Sequence, residues 1–326
     1  MFSKDIGIDL GTANTLIYVK EKGIVAREPS IVAINVHTLE IIAVGNQAKN
    51  MIGRTPKSIT TIRPLKDGVI SDFDIASEMI SFFIKNNTHN FLFSRPRLVI
   101  CIPSGVTEVE RRAVENAAQQ AGAGFVVLIE ESIAAALGAG LPADLPIGNM
   151  IVDIGGGTSE IAVVSLGDIV ISRSLRVAGD KFDQAIIMSI KENHNLIIGE
   201  GTAENIKIAI GSMTPYEDEI IIKGRDFTTG LPKDTMVKSD EIRIALQKPI
   251  LEIINSIREV LSQTPPELSA DIFERGIYIS GGGAMLKGLE DMIANETKIP
   301  VKLVDEPLDC VAKGTGKALN FVFSKE

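Results

Sequence analysis

Apolar residues recur along the chain with two spacings, one typical of strands and one typical of helices. Short apolar runs predict strands at residues 6–10, 15–19, 30–35, 97–103 and 126–129. Helical spacing predicts helices at residues 75–85, 108–121, 132–140, 180–191, 203–210 and 239–263, the last interrupted by Pro249. Because strands and helices alternate, we predict an α/β fold with mixed sheets flanked by helices.

One strand–turn–strand pattern occurs twice. The segments "IGIDLGTANTLIYV" and "MIVDIGGGTSEIAVV" align without a gap, so that Asp9 matches Asp153 at a constant offset (153 − 9 = 144). Such a repeat predicts an internal duplication, with two related domains. The alternative is a chance similarity between two hairpins, since glycine turns between strands are common.

Two polar segments differ from the rest of the chain. Residues 36–65 are punctuated by glycine and proline, and residues 216–238 are charged and rich in turn formers. Each is predicted to be a small inserted subdomain. A third glycine-rich turn lies in "IYISGGGAML", where a strand is predicted to lead through three glycines into the helix "MLKGLEDMIANE".

Composition excludes several classes of protein. The 326 residues carry 33 basic and 42 acidic side chains, a net charge of −9, which argues against non-specific binding to nucleic acid. Two cysteines provide neither a disulfide framework nor a cysteine-rich metal site. With no secretion signal and no run of ~20 apolar residues, the chain is predicted to be cytoplasmic.

The repeated turns indicate a particular chemistry. Glycines allow a ligand to approach the backbone closely, and successive N–H groups in such a turn bind anions. An acid ends the strand before each turn, and an acid next to phosphate requires a cation between them. Mg²⁺ suits this position, because it prefers oxygen ligands and keeps bridging waters. We therefore predict that Asp9 and Asp153 organise hydrated Mg²⁺ on a nucleotide's phosphates.

Two other nucleotide motifs fit poorly. In the dinucleotide-binding fingerprint the glycines open a helix, whereas here a second strand follows each of the repeated turns. The P-loop signature, G-x-x-x-x-G-K-[ST], is absent from the sequence.

The glycine motifs resemble those of a known superfamily. "IGIDLGTANT", "IVDIGGGTSE" and "ISGGGAMLKG" are similar to the two phosphate motifs and the adenosine motif of the actin, sugar-kinase and seventy-kilodalton chaperone superfamily. Within it, "NMIGRTP", "RPLKDGVI", "GRDFTTGLP", "TPPELSADI" and "PLDCVAKGTGKAL" resemble the bacterial actins of the MreB type.

The resemblance implies an actin-like fold with ATP and Mg²⁺ in a central cleft between four subdomains. Their expected boundaries are 1–32, 66–145 and 310–326 for subdomain IA, 33–65 for IB, 146–178 and 246–309 for IIA, and 179–245 for IIB. Residues implied to contact the nucleotide are Asp9, Gly11, Thr12, Ala13, Asn14, Asp153, Gly155, Gly156, Gly157, Thr158, Glu204, Asn205, Ile206, Lys207, Gly282, Gly283, Ala284, Met285, Leu286 and Lys287.

For hydrolysis, the resemblance implies that Glu131 and Thr158 hold the attacking water in line with the γ-phosphate. The alternative for Glu131 is an acid that merely stabilises the start of a helix. Members of the family usually have proline after this acid, whereas this chain has Ser132, which we expect to cap the helix.

The resemblance also implies a membrane-inserting loop at "NFLFSRPR", with Phe91, Leu92 and Phe93 entering the bilayer and Phe2 assisting. Arg95 and Arg97 are then expected near anionic headgroups. The alternative is a loop packed into the core, because exposed apolar triplets are unusual.

The function that follows from the resemblance is that of a cytoskeletal ATPase. It would form double filaments with copies of itself on the inner face of the plasma membrane and act with membrane proteins of cell-wall elongation in maintaining rod shape. A small-molecule kinase on the same fold is the alternative, although large substrate-binding insertions are not evident. A chaperone ATPase is disfavoured, because little sequence follows "GTGKA".

Overall fold

The computed structural model describes residues 5–87 and 95–323. The strands are β1 (Asp5–Leu10), β2 (Asn14–Val19), β3 (Gly23–Pro29), β4 (Val32–Asn35), β5 (Ile41–Val44), β6 (Ile59–Ile62), β7 (Leu65–Lys66), β8 (Val69–Ile70), β9 (Arg97–Ile102), β10 (Phe125–Glu130), β11 (Asn149–Ile154), β12 (Ser159–Ser165), β13 (Asp168–Leu175), β14 (Leu196–Ile197), β15 (Glu219–Asp226), β16 (Pro232–Lys238), β17 (Ile277–Ser280) and β18 (Val301–Leu303). The helices are α1 (Asn46–Lys49), α2 (Phe73–Asn87), α3 (Glu108–Gln120), α4 (Glu131–Gly138), α5 (Gly179–His194), α6 (Glu200–Ile210), α7 (Ser239–Gln263), α8 (Pro266–Arg275), α9 (Leu289–Thr297) and α10 (Cys310–Val322), with a short 3₁₀ turn at Gly283–Met285.

Two five-stranded sheets have the same topology. The first has the order β10-β9-β1-β2-β3 and the second β18-β17-β11-β12-β13. In each, a central strand pairs antiparallel with the strand after the glycine turn and parallel with a strand from later in the chain. This agreement in order and direction is what an internal duplication would produce.

The central strands are apolar because both faces of each sheet are covered. Every residue of β11 and β12 is buried. Met150, Val152 and Ile154 pack into one core, while Ile151 between them packs into another. In the first sheet, a Cβ on Gly7 would lie 2.3 Å from Thr315 Oγ1, because α10 packs directly on β1. Strands buried on two sides read as continuous apolar runs.

Two three-stranded sheets overlap the polar segments identified from the sequence, but each includes a strand that precedes its segment, β4 in one and β14 in the other. The order β5-β4-β6 lies within residues 32–62, and the order β14-β15-β16 lies within residues 196–238. Strand β3 was not predicted, because its charged sequence "GIVAREP" hides the apolar alternation. Helix α7 continues through Pro249, which is buried within it, so the predicted interruption is wrong. Packing of the apolar face of α7 outweighs one lost backbone hydrogen bond.

Among residues 5–87 and 95–323, no helix is both long and apolar enough to cross a membrane.

Candidate functional site at the meeting of two glycine turns

The two repeated turns meet face to face. A Cβ placed on Gly156 would lie 2.4 Å from the Cβ of Ala13, and one on Gly157 would lie 2.7 Å from Thr12 Oγ1. Only glycine permits such an approach, so these residues hold the turns of the two sheets in direct contact. The sequence prediction that the matched turns lie opposite each other agrees with this geometry.

Each turn is also closed within itself. A Cβ on Gly11 would lie 2.7 Å from the carbonyl oxygen of Asn14, and the N–H of Gly155 donates to the carbonyl oxygen of Thr158 at 2.9 Å. The side chain of Thr158 is buried, whereas Asn14 is exposed at the start of β2. The backbones of both turns therefore curl tightly, as an anion-binding turn requires.

A third segment joins the turns and was missed by the sequence analysis. The N–H of Gly68, in the hairpin between β7 and β8, donates to Thr12 Oγ1 at 3.0 Å. A Cβ on Gly68, whose φ is +80°, would lie 3.1 Å from Thr158 Cγ2. The motif "RPLKDGVI" contains this glycine, but only the folded chain brings it to both turns.

Asp9 and Asp153 lie at the ends of the matched strands and interact electrostatically. Asp153 is 7% exposed, and its Oδ1 accepts a 2.5 Å hydrogen bond from Ser280 Oγ. Burial, together with the neighbouring charge of Asp153, raises the pKa of Asp9 to about 7. Burial also raises the pKa of Asp153, and the hydrogen bond from Ser280 opposes that rise.

These carboxylates fit a hydrated divalent cation. Two desolvated acids side by side are unfavourable unless they are protonated or share a cation. No three His, Cys, Asp or Glu side chains within the described part of the chain converge at metal-ligating positions. The remaining ligands of a bound Mg²⁺ would therefore be waters and phosphate oxygens, which is the coordination that Mg²⁺ favours.

Glu131 belongs to the same group of acids. It begins α4, is 8% exposed, and its pKa is raised well above the ordinary value by burial and then by Glu160, Asp9 and Asp153. Its neighbour Ser132 is not the predicted helix cap, because α4 already begins at Glu131. Glu131 is thus a buried acid among other acids at the start of a helix, where the helix dipole favours a negative charge.

Glu160 is the acid that sequence analysis missed. It is 0% exposed and accepts hydrogen bonds from the N–H of Ser104 at 3.0 Å and from Ser174 Oγ at 2.5 Å. Burial raises its pKa to about 7, against the effect of both hydrogen bonds. The available signal was a glutamate in the apolar strand "SEIAVVS", at the position that Leu16 occupies in the first repeat.

The predicted residues of α6 do not share one face. The helix begins at Glu200, so residues 204–207 lie in its second turn rather than at its start. Ile206 is fully buried in the core, so the prediction that its side chain faces a ligand is wrong. Successive helical residues point about 100° apart, and four in a row cannot all face one cleft. Asn205 is exposed, and Lys207 contacts Asp183 at 2.8 Å.

Ion pairs connect the regions around the two three-stranded sheets. Lys49 Nζ lies 3.0 Å from a carboxylate oxygen of Glu204, and Arg63 reaches both Asp180 (3.5 Å) and Glu200 (3.4 Å). Residues 46–63 are thereby tied to α5 and α6. Glu204, a predicted nucleotide contact, thus already forms an ion pair with Lys49.

The third glycine turn departs from the predicted helix. After the 3₁₀ turn the backbone at Leu286 is extended, Gly288 adopts a φ of +74°, and α9 begins only at Leu289. Gly283, Ala284 and Leu286 are buried, whereas Gly282, Met285 and Lys287 are exposed. The reason is pairing with the segment after α6: Lys287 forms a parallel β-bridge with Ser212, and the N–H of Met213 donates to the carbonyl oxygen of Lys287 at 2.7 Å. A Cβ on Gly281, which precedes the 3₁₀ turn, would lie 2.3 Å from the carbonyl oxygen of Ile154, so the third glycine turn abuts the end of β11, next to the second of the repeated turns.

A family model described as MreB/Mbl protein matches residues 3–325. The chain belongs to the MreB/Mbl family. It is 51% identical over 322 residues to the cell shape-determining protein Mbl of Bacillus subtilis (strain 168), covering 98% of this chain and 97% of that protein. It is 50% identical over 329 residues to the cell shape-determining protein MreB of Escherichia coli (strain K12), covering 99% and 95%.

Solved structures of this family have the same fold. MreB 5 of Spiroplasma citri bound to AMPPNP superposes with a TM-score of 0.95 at 40% identity, covering 100% of this chain and 98% of that one. The ADP-bound form gives 0.93 at 40% identity, with 98% of each chain covered. A MamK double helical filament, 21% identical with a TM-score of 0.83, shares the fold. The predicted actin-like α/β fold is confirmed.

The predicted membrane contacts Phe2, Phe91, Leu92 and Phe93 lie outside the described residues and stay predictions. Arg97, which was expected near lipid headgroups, instead donates to both carboxylate oxygens of Asp5 at 2.8 and 3.0 Å. Its guanidinium also lies 4.3 Å from the centre of the Phe323 ring. Because its charge is paired within the protein, Arg97 has a structural role in the fold.

Proposed function

We propose that this chain is a cytoskeletal ATPase that binds ATP and Mg²⁺ and polymerises into filaments on the inner face of the cytoplasmic membrane, organising cell-wall synthesis and maintaining rod shape. The observation that carries this proposal is the contact of two glycine turns with Asp9 and Asp153 behind them. Family membership and the AMPPNP-bound and ADP-bound structures of MreB 5 of Spiroplasma citri support it.

The proposed site lies between four subdomains with the boundaries predicted from the sequence. The turns at residues 11–14 and 155–158 would bind phosphates through backbone N–H groups. Asp9 and Asp153 would hold Mg²⁺ through water, and the metal would supply charge neutralisation at the phosphates. Glu204 and Lys207 from α6, with the third glycine turn, would line the nucleoside side.

Hydrolysis is assigned to Glu131 and Thr158. Phosphoryl transfer depends mainly on positioning the nucleophile and stabilising charge. Glu131 begins α4 directly after β10 of the first sheet, and Thr158 lies on the turn of the second, so a water between them would be held by groups from both. Ionised Glu131 would orient that water and accept a proton from it.

Assembly and membrane binding follow from the same proposal. The partners are further copies of this chain, the membrane, and membrane proteins of cell-wall elongation, with no nucleic acid. Relatives named cell shape-determining proteins support this assignment. Phe2, Phe91, Leu92 and Phe93 would contact the bilayer, and burial of the triplet would contribute at most about 5–9 kcal/mol.

The test combines assembly and hydrolysis. The full chain is incubated with Mg-ATP and lipid vesicles, followed by sedimentation, electron microscopy and phosphate-release measurements. We expect filaments on lipid and slow phosphate release. A monomer that transfers phosphate to a sugar would contradict the proposal and favour the kinase alternative.

The membrane contacts have their own test. Vesicles that contain anionic lipid are floated with wild-type protein and with the triple variant Phe91→Ser, Leu92→Ser and Phe93→Ser. We expect the variant to be lost from the lipid fraction, because the apolar burial is removed. Exposed Phe273 in α8 provides the control Phe273→Ser, which should float like wild type. Undiminished flotation of the triple variant would exclude the loop as the membrane contact.

A further inference from the structure

Glu160 is a fully buried carboxylate, whereas the matched position of the first repeat carries no acid. The matched residue of the first repeat is Leu16 (160 − 144 = 16), which pairs with Asp9 in the β1–β2 register as Glu160 pairs with Asp153. Burying a carboxylate costs free energy unless it is well hydrogen-bonded. Because leucine occupies the equivalent position of the first sheet, the pairing of the strands does not by itself require a glutamate here.

The hydrogen bonds of Glu160 connect the two sheets. Its Oε2 accepts the backbone N–H of Ser104, which lies in the loop between β9 of the first sheet and α3. Its Oε1 accepts from Ser174 on β13, the neighbouring strand of its own sheet. Glu160 therefore ties the first sheet's loop to the second sheet, two residues after Thr158.

From Ser104 the connection continues to Glu131. Ser104 Oγ lies 3.5 Å from Ser132 Oγ, and both serines are buried. Ser132 directly follows Glu131 in the first turn of α4. The start of α4 is thus held against the second sheet through side-chain oxygens.

We propose that Glu160 is a positioning residue for hydrolysis, which fixes Glu131 relative to Thr158 through Ser104 and Ser132. This inference rests on the proposed ATPase function. Glu160 itself touches no reacting atom; it determines how accurately the water-holding groups of the two halves face each other. Displacements of about 1 Å in such an arrangement reduce rates by up to ~100-fold.

The principal variant is Glu160→Leu, which copies the first repeat and so suits the strand. We expect its phosphate release under single turnover to fall by about 10- to 100-fold, while the affinity for Mg-ATP stays within about twofold. Glu160→Gln should retain most of the rate, because its amide oxygen still accepts from Ser104 while its NH₂ donates to Ser174. Glu290→Gln is the matched control, since that carboxylate also accepts a backbone N–H, from Leu303 at 2.7 Å.

A double-mutant cycle separates positioning from general loosening of the fold. In a Glu131→Ala background, Glu160→Leu should cause no further loss, because its effect acts through Glu131. If the fold-losses of the two substitutions multiply in the double variant, the inference is overturned. It is also overturned if Glu160→Leu hydrolyses ATP at the rate of the wild type. If that variant does not bind nucleotide, Glu160→Asp, shorter by one methylene, takes its place with the same expected outcomes. Absence of hydrolysis by the wild type would instead overturn the proposed function.

Discussion

The two halves of the molecule present the same turn on the same strand pair, yet their acids have different surroundings. Asp153 receives a hydrogen bond from Ser280 on the adjacent parallel strand, which opposes the rise of its pKa. For Asp9, burial and the charge of Asp153 act together and raise the pKa to about 7. The acids at these equivalent positions therefore differ in what stabilises their charged forms.

The facing strand differs as well. Leu16 lies opposite Asp9, whereas the hydrogen-bonded Glu160 lies opposite Asp153. At this position the first half thus has a buried apolar side chain, whereas the second half has an acid whose hydrogen bonds connect the two sheets. The two sheets share the backbone arrangement that brings the glycine turns together, and they differ in the side chains that face the two acids.

The largest expected effect concerns Glu131, which stands on the first half but acts with Thr158 of the second. Glu131→Ala should leave Mg-ATP affinity unchanged and slow phosphate release by about 10²- to 10³-fold, because the water loses its base. Single-turnover phosphate release and nucleotide titration measure the two quantities. The neighbouring acid Glu130, converted to glutamine, is the control. Unchanged hydrolysis in Glu131→Ala would remove this residue from the mechanism.

The unequal acids predict unequal effects of their neutralisation. Asp9→Asn should raise the melting temperature of the nucleotide-free protein at pH 7.5 by about 1–3 °C, because a desolvated charge is removed. The same variant should lose most of the stabilisation by Mg-ATP. Asp153→Asn should also lose most of the stabilisation by Mg-ATP. Its gain in melting temperature without nucleotide should be smaller than that of Asp9→Asn, because Ser280 already donates a hydrogen bond to Asp153. Thermal unfolding with and without Mg-ATP tests this. Equal gains in melting temperature for the two variants would contradict the proposed difference between the two acids.

The acids also predict how stability depends on pH. Asp9 and Glu160 have folded-state pKa values of about 7, above their ordinary values of 3.8 and 4.5. Between pH 4 and 7 the folded protein therefore binds more protons than the unfolded chain, so these groups make stability fall as pH rises. Relative to wild type, the double variant Asp9→Asn, Glu160→Gln should show a flatter decline over that window. Chemical denaturation of nucleotide-free protein across pH 5–8 measures the slope, and parallel slopes would contradict the assignment.

The smallest effect concerns the ion pairs that connect the two small-sheet regions. Lys49→Ala and Arg63→Ala should each change stability by only about 0.2–1 kcal/mol, because the pairs are partly exposed. Both should speed nucleotide release, and added salt should reduce the difference from wild type. Arg243→Ala, which breaks a pair with Asp240 within one helix, is the control. Release rates that match the control would show that these pairs do not restrain the cleft.

The sequence determined the local elements of this protein and the symmetry between its halves. Apolar periodicity gave α7 its bounds, and the 144-residue repeat matched Asp9 with Asp153. Both signals are local or self-similar, so they need no knowledge of packing.

Tertiary structure alone decided which distant groups meet. The burial of Ile206, the extended backbone at Leu286 and the bond from Ser104 to Glu160 depend on how helices and loops pack across long separations. At the third turn, where a helix was expected from the sequence, Lys287 instead pairs with Ser212 and accepts a hydrogen bond from the N–H of Met213. Periodicity specifies which face of an element is apolar, but the partner of a buried polar group is fixed only when the core closes around it.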